Sequence, residues 1–204
     1  MPITCELIPV TSSLLIWQSY DPAAKADLFS TAITTHNGSF LIDPIPLGDA
    51  ALAQLLNAGP VSGIIVTNRN HLRAADDFAD RFSIPTFAHP NTFPNETFPC
   101  TKVTDGGTIC GELDVIGIEG AAAGEIVLHH SANGGALFIG DALINCEPYG
   151  FTFLPRKYCL NEKKMRRSLR KLLAHKTERI FFAHGPPILS RAGERLRQLL
   201  MVDG

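Results

Sequence analysis

The 204-residue chain is predicted to be an α+β protein, two sheets with helices on their outer faces, and three observations lead there. Residues 5–42 alternate apolar and polar side chains, as half-buried antiparallel strands do. Residues 49–88 switch to helical spacing interrupted by short apolar runs, and residues 108–139 return to strands. A helix–strand–helix run then closes the chain.

In order, strands are expected at 5–10, 14–20, 31–35 and 39–42. Asn37-Gly38 between the last two is a strong hairpin signal, because tight primed turns need positive φ. Pro44 and Pro46 end that strand, since proline cannot donate to a ladder. Residues 49–57 read as a helix stopped by Ala58-Gly59-Pro60. A buried strand at 64–66 leads into a polar loop, Thr67 to His71, and a helix at 74–82 sets Phe78 and Phe82 one turn apart. After a strand at 86–88, residues 89–100, with Pro90, Pro94 and Pro99, read as a rigid surface loop. Strands follow at 108–110, 113–118, 125–130 and 136–139, joined by Gly106-Gly107 and Asn133-Gly134-Gly135. A basic helix at 161–176, a strand at 179–183 and a helix at 190–201 complete the pattern.

Composition narrows the function classes. Hydrophobic residues make up 45% and charged residues 19%, a balance that supports a packed core and excludes a disordered tail. No apolar run reaches the roughly eighteen residues that span a bilayer, so no membrane association is expected. The start Met1-Pro2-Ile3-Thr4 lacks the basic and apolar regions of an export signal. The five cysteines (Cys5, Cys100, Cys110, Cys146, Cys159) include no CxxC pair and read as reduced thiols, with a Cys100–Cys110 bridge as the alternative. A cytoplasmic single domain spanning 1–204 is the expectation.

Between Arg156 and Arg179 ten lysines and arginines face only Glu162 and Glu178. Such a helix could meet nucleic acid or an acidic partner. Met165, Leu169, Leu172 and Leu173 form an apolar stripe along it, so a solvated amphipathic helix is expected instead, with nucleic acid an unlikely partner.

Three loops follow short buried strands: residues 67–73, Gly140-Asp141 and His184-Gly185. Polar residues just past strand ends converge on one edge, where sites form. His129-His130 end a strand facing opposite sides, so they cannot both serve one metal, and His36 and His89 are expected to face solvent. Cys146 and the aromatics Tyr149, Phe151 and Phe153 could approach the pocket, the aromatics more simply as a cover on the sheet.

In order and spacing these loops resemble the metallo-β-lactamase superfamily from about residue 5 to residue 200. The stretches IIVTNRNHLRAADDFADRFSIPTFAHP, DGGTICGELDVIGIEGAAAGEIVLHHSANGGALFIGDALI and IFFAHGPPI carry the likeness. The resemblance implies a four-layer αββα sandwich with a site at one edge of the sheets, usually holding two zinc ions, or iron, that activate water. The family's H-x-H-x-D-H ligands fall here on Asn68, Asn70, Leu72 and Arg73, and the next histidine on Ala121; only Asp141 and His184 match.

A hydrolytic zinc generally needs three protein ligands and an open position. The first-metal set, Asn68, Asn70 and Ala121, offers no imidazole, and Arg73 is permanently cationic. The leading expectation is therefore a chain that has lost its dinuclear centre. It would be non-hydrolytic, with Arg73 paired to Asp141 as internal counter-ion. Its pocket of Asn68, Asn70, His71, Arg73, Asp141 and His184 would bind a small polar or anionic ligand, without a cofactor. His71 supports the loop in that reading. The alternative turns His71 inward, so that His71, Asp141 and His184 hold a single zinc or iron ion for hydrolysis of an ester, thioester or phosphodiester.

Overall fold

The computed structural model describes residues 6–96 and 98–201. Strands β1 (Ile8–Thr11), β2 (Leu14–Asp21), β3 (Ala26–Thr35) and β4 (Gly38–Ile42) form an antiparallel meander. Cys5, the first residue of the expected opening strand, lies outside the described residues. Gly38 has φ +99°, the backbone turn that the Asn-Gly pair announces. After helix α1 (Asp49–Asn57), β5 (Val61–Val66) joins β4 in parallel. Helix α2 (Ala75–Phe82), β6 (Thr86–Ala88) and β7 (Thr101–Lys102) complete a sheet ordered β1-β2-β3-β4-β5-β6-β7.

The second sheet runs β14-β11-β10-β9-β8, built from β8 (Thr108–Ile109), β9 (Leu113–Gly117), β10 (Ile126–His130), β11 (Ala136–Ile139) and β14 (Arg179–Phe182). A separate hairpin, β12 (Leu143–Cys146) with β13 (Gly150–Phe153), was not anticipated, because its apolar residues read as a cover on the sheet. The basic segment is α3 (Glu162–Leu169), capped by the Asn161 side chain on the Lys164 N–H, followed by a 3₁₀ turn at Arg170–Ala174. Helix α4 (Ala192–Met201) ends the described chain.

Strand alternation sorts the side chains into layers. Phe40, Ile42 and Ile65 from the first sheet meet Leu128, Phe138 and Phe181 from the second in a buried inner layer. Their neighbours Leu41, Ile64 and Val66 face the other way and pack with Leu52, Leu55 and Phe78 of α1 and α2. On the opposite side, Leu137, Ile139 and Ile180 pack with Met165, Leu169, Leu196 and Leu200. The αββα order follows from those three apolar layers.

The apolar stripe of α3 is thus buried, as its spacing requires. Cys100, Cys110, Cys146 and Cys159 are all free thiols, and among the described residues no helix is long and apolar enough to cross a membrane.

Candidate functional site

The site lies where β4, β5, β11 and β14 end. Asp43 follows β4 with φ 48° and is buried. Its carboxylate accepts the Thr67 N–H at 2.8 Å, the Thr67 hydroxyl at 2.6 Å and His71 Nδ1 at 2.9 Å. Burial disfavours its charge, but His71, then Arg73 and Thr67, hold its pKa below the ordinary carboxylate value.

The loop after β5 turns back on itself, with the His71 N–H bonded to the Asn68 carbonyl, and this brings His71 inward. Its Nε2 reaches Asp141 Oδ1 at 3.1 Å, and His184 Nε2 reaches the same oxygen at 3.2 Å. Asn70 Nδ2 donates to Asp141 Oδ2 at 3.0 Å. Burial works against a charged His71, but Asp43 and then Asp141, against Arg73, raise its pKa to about 9. Burial likewise opposes ionisation of Asp141, which His71 and His184 nevertheless hold well below the carboxylate range.

Glu125, buried at the start of β10, forms the floor. Its Oε1 accepts the N–H groups of Asp141 and Ala142, and its Oε2 accepts Asn68 Nδ2 at 2.7 Å. Burial and the Asp141 charge push its pKa well above the ordinary range, against the pull of those donors. Gly140 is required here: a Cβ would run into Thr67 Oγ1, Asn68 Nδ2 and Glu125 Oε1.

The expected Arg73–Asp141 ion pair is not formed. Arg73, at φ 45°, donates instead to the carbonyls of Phe29 (2.8 Å), Asp43 (3.0 Å) and Ala183 (3.3 Å). The Ser30 hydroxyl also donates to the Asp43 carbonyl and the Phe29 N–H to the Ala183 carbonyl, and the planar guanidinium adds a charged donor to all three acceptors at once. The place beside Asp141 belongs to His71 and His184.

Sequence reasoning missed Asp43 and Glu125. The available signals were a carboxylate directly after an apolar strand and a lone acid opening the apolar run Ile126-Val127-Leu128. Cys146 shows no activated thiolate, since burial raises its pKa.

A family model described as the metallo-beta-lactamase superfamily matches residues 10–202. The chain belongs to the metallo-beta-lactamase superfamily. The DIM-1 metallo-beta-lactamase superposes with a TM-score of 0.76 at 15% identity over the whole of both chains. A metallo-beta-lactamase family protein from Thermus thermophilus gives 0.70 at 18% identity, covering 96% of this chain and 80% of that one. A protein solved in a di-iron-bound form gives 0.63 at 21% identity, covering 79% of this chain and 89% of that one. No curated protein matches the chain. At these identities the likeness to solved structures is one of fold.

Three of the positions that the resemblance assigns to metal ligands are otherwise engaged. The Asn68 side chain is spent on Glu125 and on the Asn70 N–H, Ala121 carries no donor and is fully buried, and Leu72 packs into the outer core. The Arg73 guanidinium is committed to backbone carbonyls and is no ligand. A single ion is a different matter. One ligand atom from each of His71, Asp141 and His184 lies within 4.8 Å of the others.

Proposed function

We propose that this superfamily member holds one zinc or iron ion on His71, Asp141 and His184 and hydrolyses a small ester, thioester or phosphodiester. The observation that carries this reading is the convergence of His71 Nε2 and His184 Nε2 on one Asp141 oxygen, with His71 Nδ1 tied to Asp43. A carboxylate on the far nitrogen of a ligating histidine fixes its ring orientation and raises its basicity. Two histidines and a carboxylate leave positions open for water and substrate.

An ion there supplies Lewis acidity, polarising a substrate oxygen and lowering the pKa of water. The chain's own groups supply the rest. Asp43 and Thr67 hold His71, Asn70 and the Glu125-bound N–H fix the orientation of Asp141, and Arg73 ties β3 to the ends of β4 and β14. Asn70 is exposed and His184 is one-fifth exposed, so substrate enters from their side.

A second reading rests on the same imidazole. Both His71 nitrogens lie within hydrogen-bond distance of a carboxylate, so an imidazolium can stand in the cation's place. The pocket would then bind a small polar or anionic ligand without hydrolysing it. Metal analysis of untagged protein purified without chelators separates the two. One equivalent that disappears in Asp141→Asn supports the single-ion reading. No metal, or two equivalents both lost in that variant, overturns it.

A further inference from the structure

The opposite end of the five-stranded sheet carries a second group of metal-type donors. Asp114 on β9 and His129 on β10 are cross-strand partners, and His175 lies just before β14. His129 pairs with Leu137 near the start of β11, whereas Asp141 and His184 follow the ends of β11 and β14. One ligand atom from each of Asp114, His129 and His175 lies within 4.8 Å of the others.

The hydrogen-bond directions single this group out. His129 is buried, and its Nε2 lies 3.1 Å from the Lys176 carbonyl, which can only accept. Nε2 therefore carries a hydrogen, and Nδ1 is the nitrogen turned to Asp114, a donor to that carboxylate when it bears a proton and a metal ligand when it does not. Nδ1 lies 3.3 Å from Asp114 Oδ2, with the His175 ring centred 4.6 Å from that of His129. A cation in this gap would take the place of the Nδ1 proton, with one ligand atom from each of the three side chains in reach. The Lys176 carbonyl is the outer partner that orients a ligating histidine.

We propose that Asp114, His129 and His175 form a second metal site, independent of the edge site, for a first-row transition ion such as zinc. Two imidazoles with one carboxylate suit zinc, nickel or copper rather than magnesium or calcium. The Asp114 side chain is 51% exposed, so the ion's remaining positions face solvent. The ion ties β9 and β10 to the segment that feeds β14. His129 pairs in this site with His175, distant in sequence, and not with the adjacent His130, which turns toward Glu112.

The test uses the full-length chain, tag-free and chelator-stripped, carrying Asp141→Asn to disable the edge site. Zinc chloride is titrated by calorimetry and followed through histidine ring nitrogens by NMR. The expected result is one equivalent bound, with the His129 Nδ1 resonance shifted, Nε2 still protonated and the melting temperature raised. His175→Asn and Asp114→Asn, both at partly exposed positions, weaken binding by roughly tenfold or more while circular dichroism is unchanged. The proposal is overturned if no zinc binds at micromolar concentration, if binding survives both substitutions, or if His129 Nδ1 stays protonated throughout. Should Asp141→Asn not fold, the wild-type chain gives the same answer through a zinc equivalent lost in His175→Asn. Loss of the edge-site equivalent alone tests the hydrolase reading and leaves this site standing.

Discussion

Without metal, the His71 imidazolium should make the chain progressively less stable as pH rises. The ring lies between Asp43 and Asp141, and its pKa is about 9 when folded against an ordinary 6.5. A group whose folded pKa is raised contributes fully below its unfolded pKa, and that contribution fades as pH climbs through the folded value. The window is therefore 6.5 to about 9. A shift of that size corresponds to about 3 kcal/mol, a large share of a domain's stability. Glu125 acts in the same direction, because the folded chain forgoes an ionisation that the unfolded chain gains. Asp43 and Asp141, held below the ordinary carboxylate value, lose their contributions only at acid pH, outside this window.

The assay is urea unfolding of EDTA-treated protein across the window, with the midpoint falling steadily. Saturating zinc reverses the trend, since coordination needs His71 Nε2 free of its hydrogen and tightens as pH rises. A metal-free midpoint that is flat or rising over the window would refute the buried-imidazolium reasoning.

Other outcomes follow from single contacts. Asp43→Asn leaves His71 without its orienting carboxylate and should weaken zinc binding at the edge site roughly 10–100-fold, read by competition with a chromophoric chelator. Gly140→Ala forces a methyl group into Thr67, Asn68 and Glu125 and should destabilise by about 1–3 kcal/mol in urea, whereas an unchanged midpoint would show that this approach is looser than described. Arg73→Lys keeps the charge but cannot span the carbonyls of Phe29, Asp43 and Ala183, and should cost about 1–3 kcal/mol by thermal unfolding; a neutral result would mean that the Ser30 hydroxyl on Asp43 and the Phe29 N–H on Ala183 suffice for those carbonyls. Phe138→Ala empties the layer between the sheets, where Phe138 stacks on Phe181 at 5.2 Å, and should cost about 3–5 kcal/mol by the same measurement.

The layers were legible because alternation has a fixed meaning in a strand. Phe40 and Ile42 had to share one face and Leu41 the other, whatever lay beyond the sheet. Helix α1 and strands β6 and β11 fall where spacing and flanking turn residues put them. The hairpin β12–β13 was not legible, since its aromatic residues suit a covering loop and a strand equally well.

What the linear chain determined was therefore the architecture and the three loops that meet at its edge. Whether Arg73 or His71 would stand beside Asp141 depended on one loop turn and on which backbone carbonyls converge between β3 and the ends of β4 and β14. Arg73 and the Ala183 carbonyl lie 110 residues apart in sequence. Packing alone brings them together, and hydrogen-bond satisfaction at that meeting point is what sent the guanidinium to the backbone and the imidazole to the carboxylates.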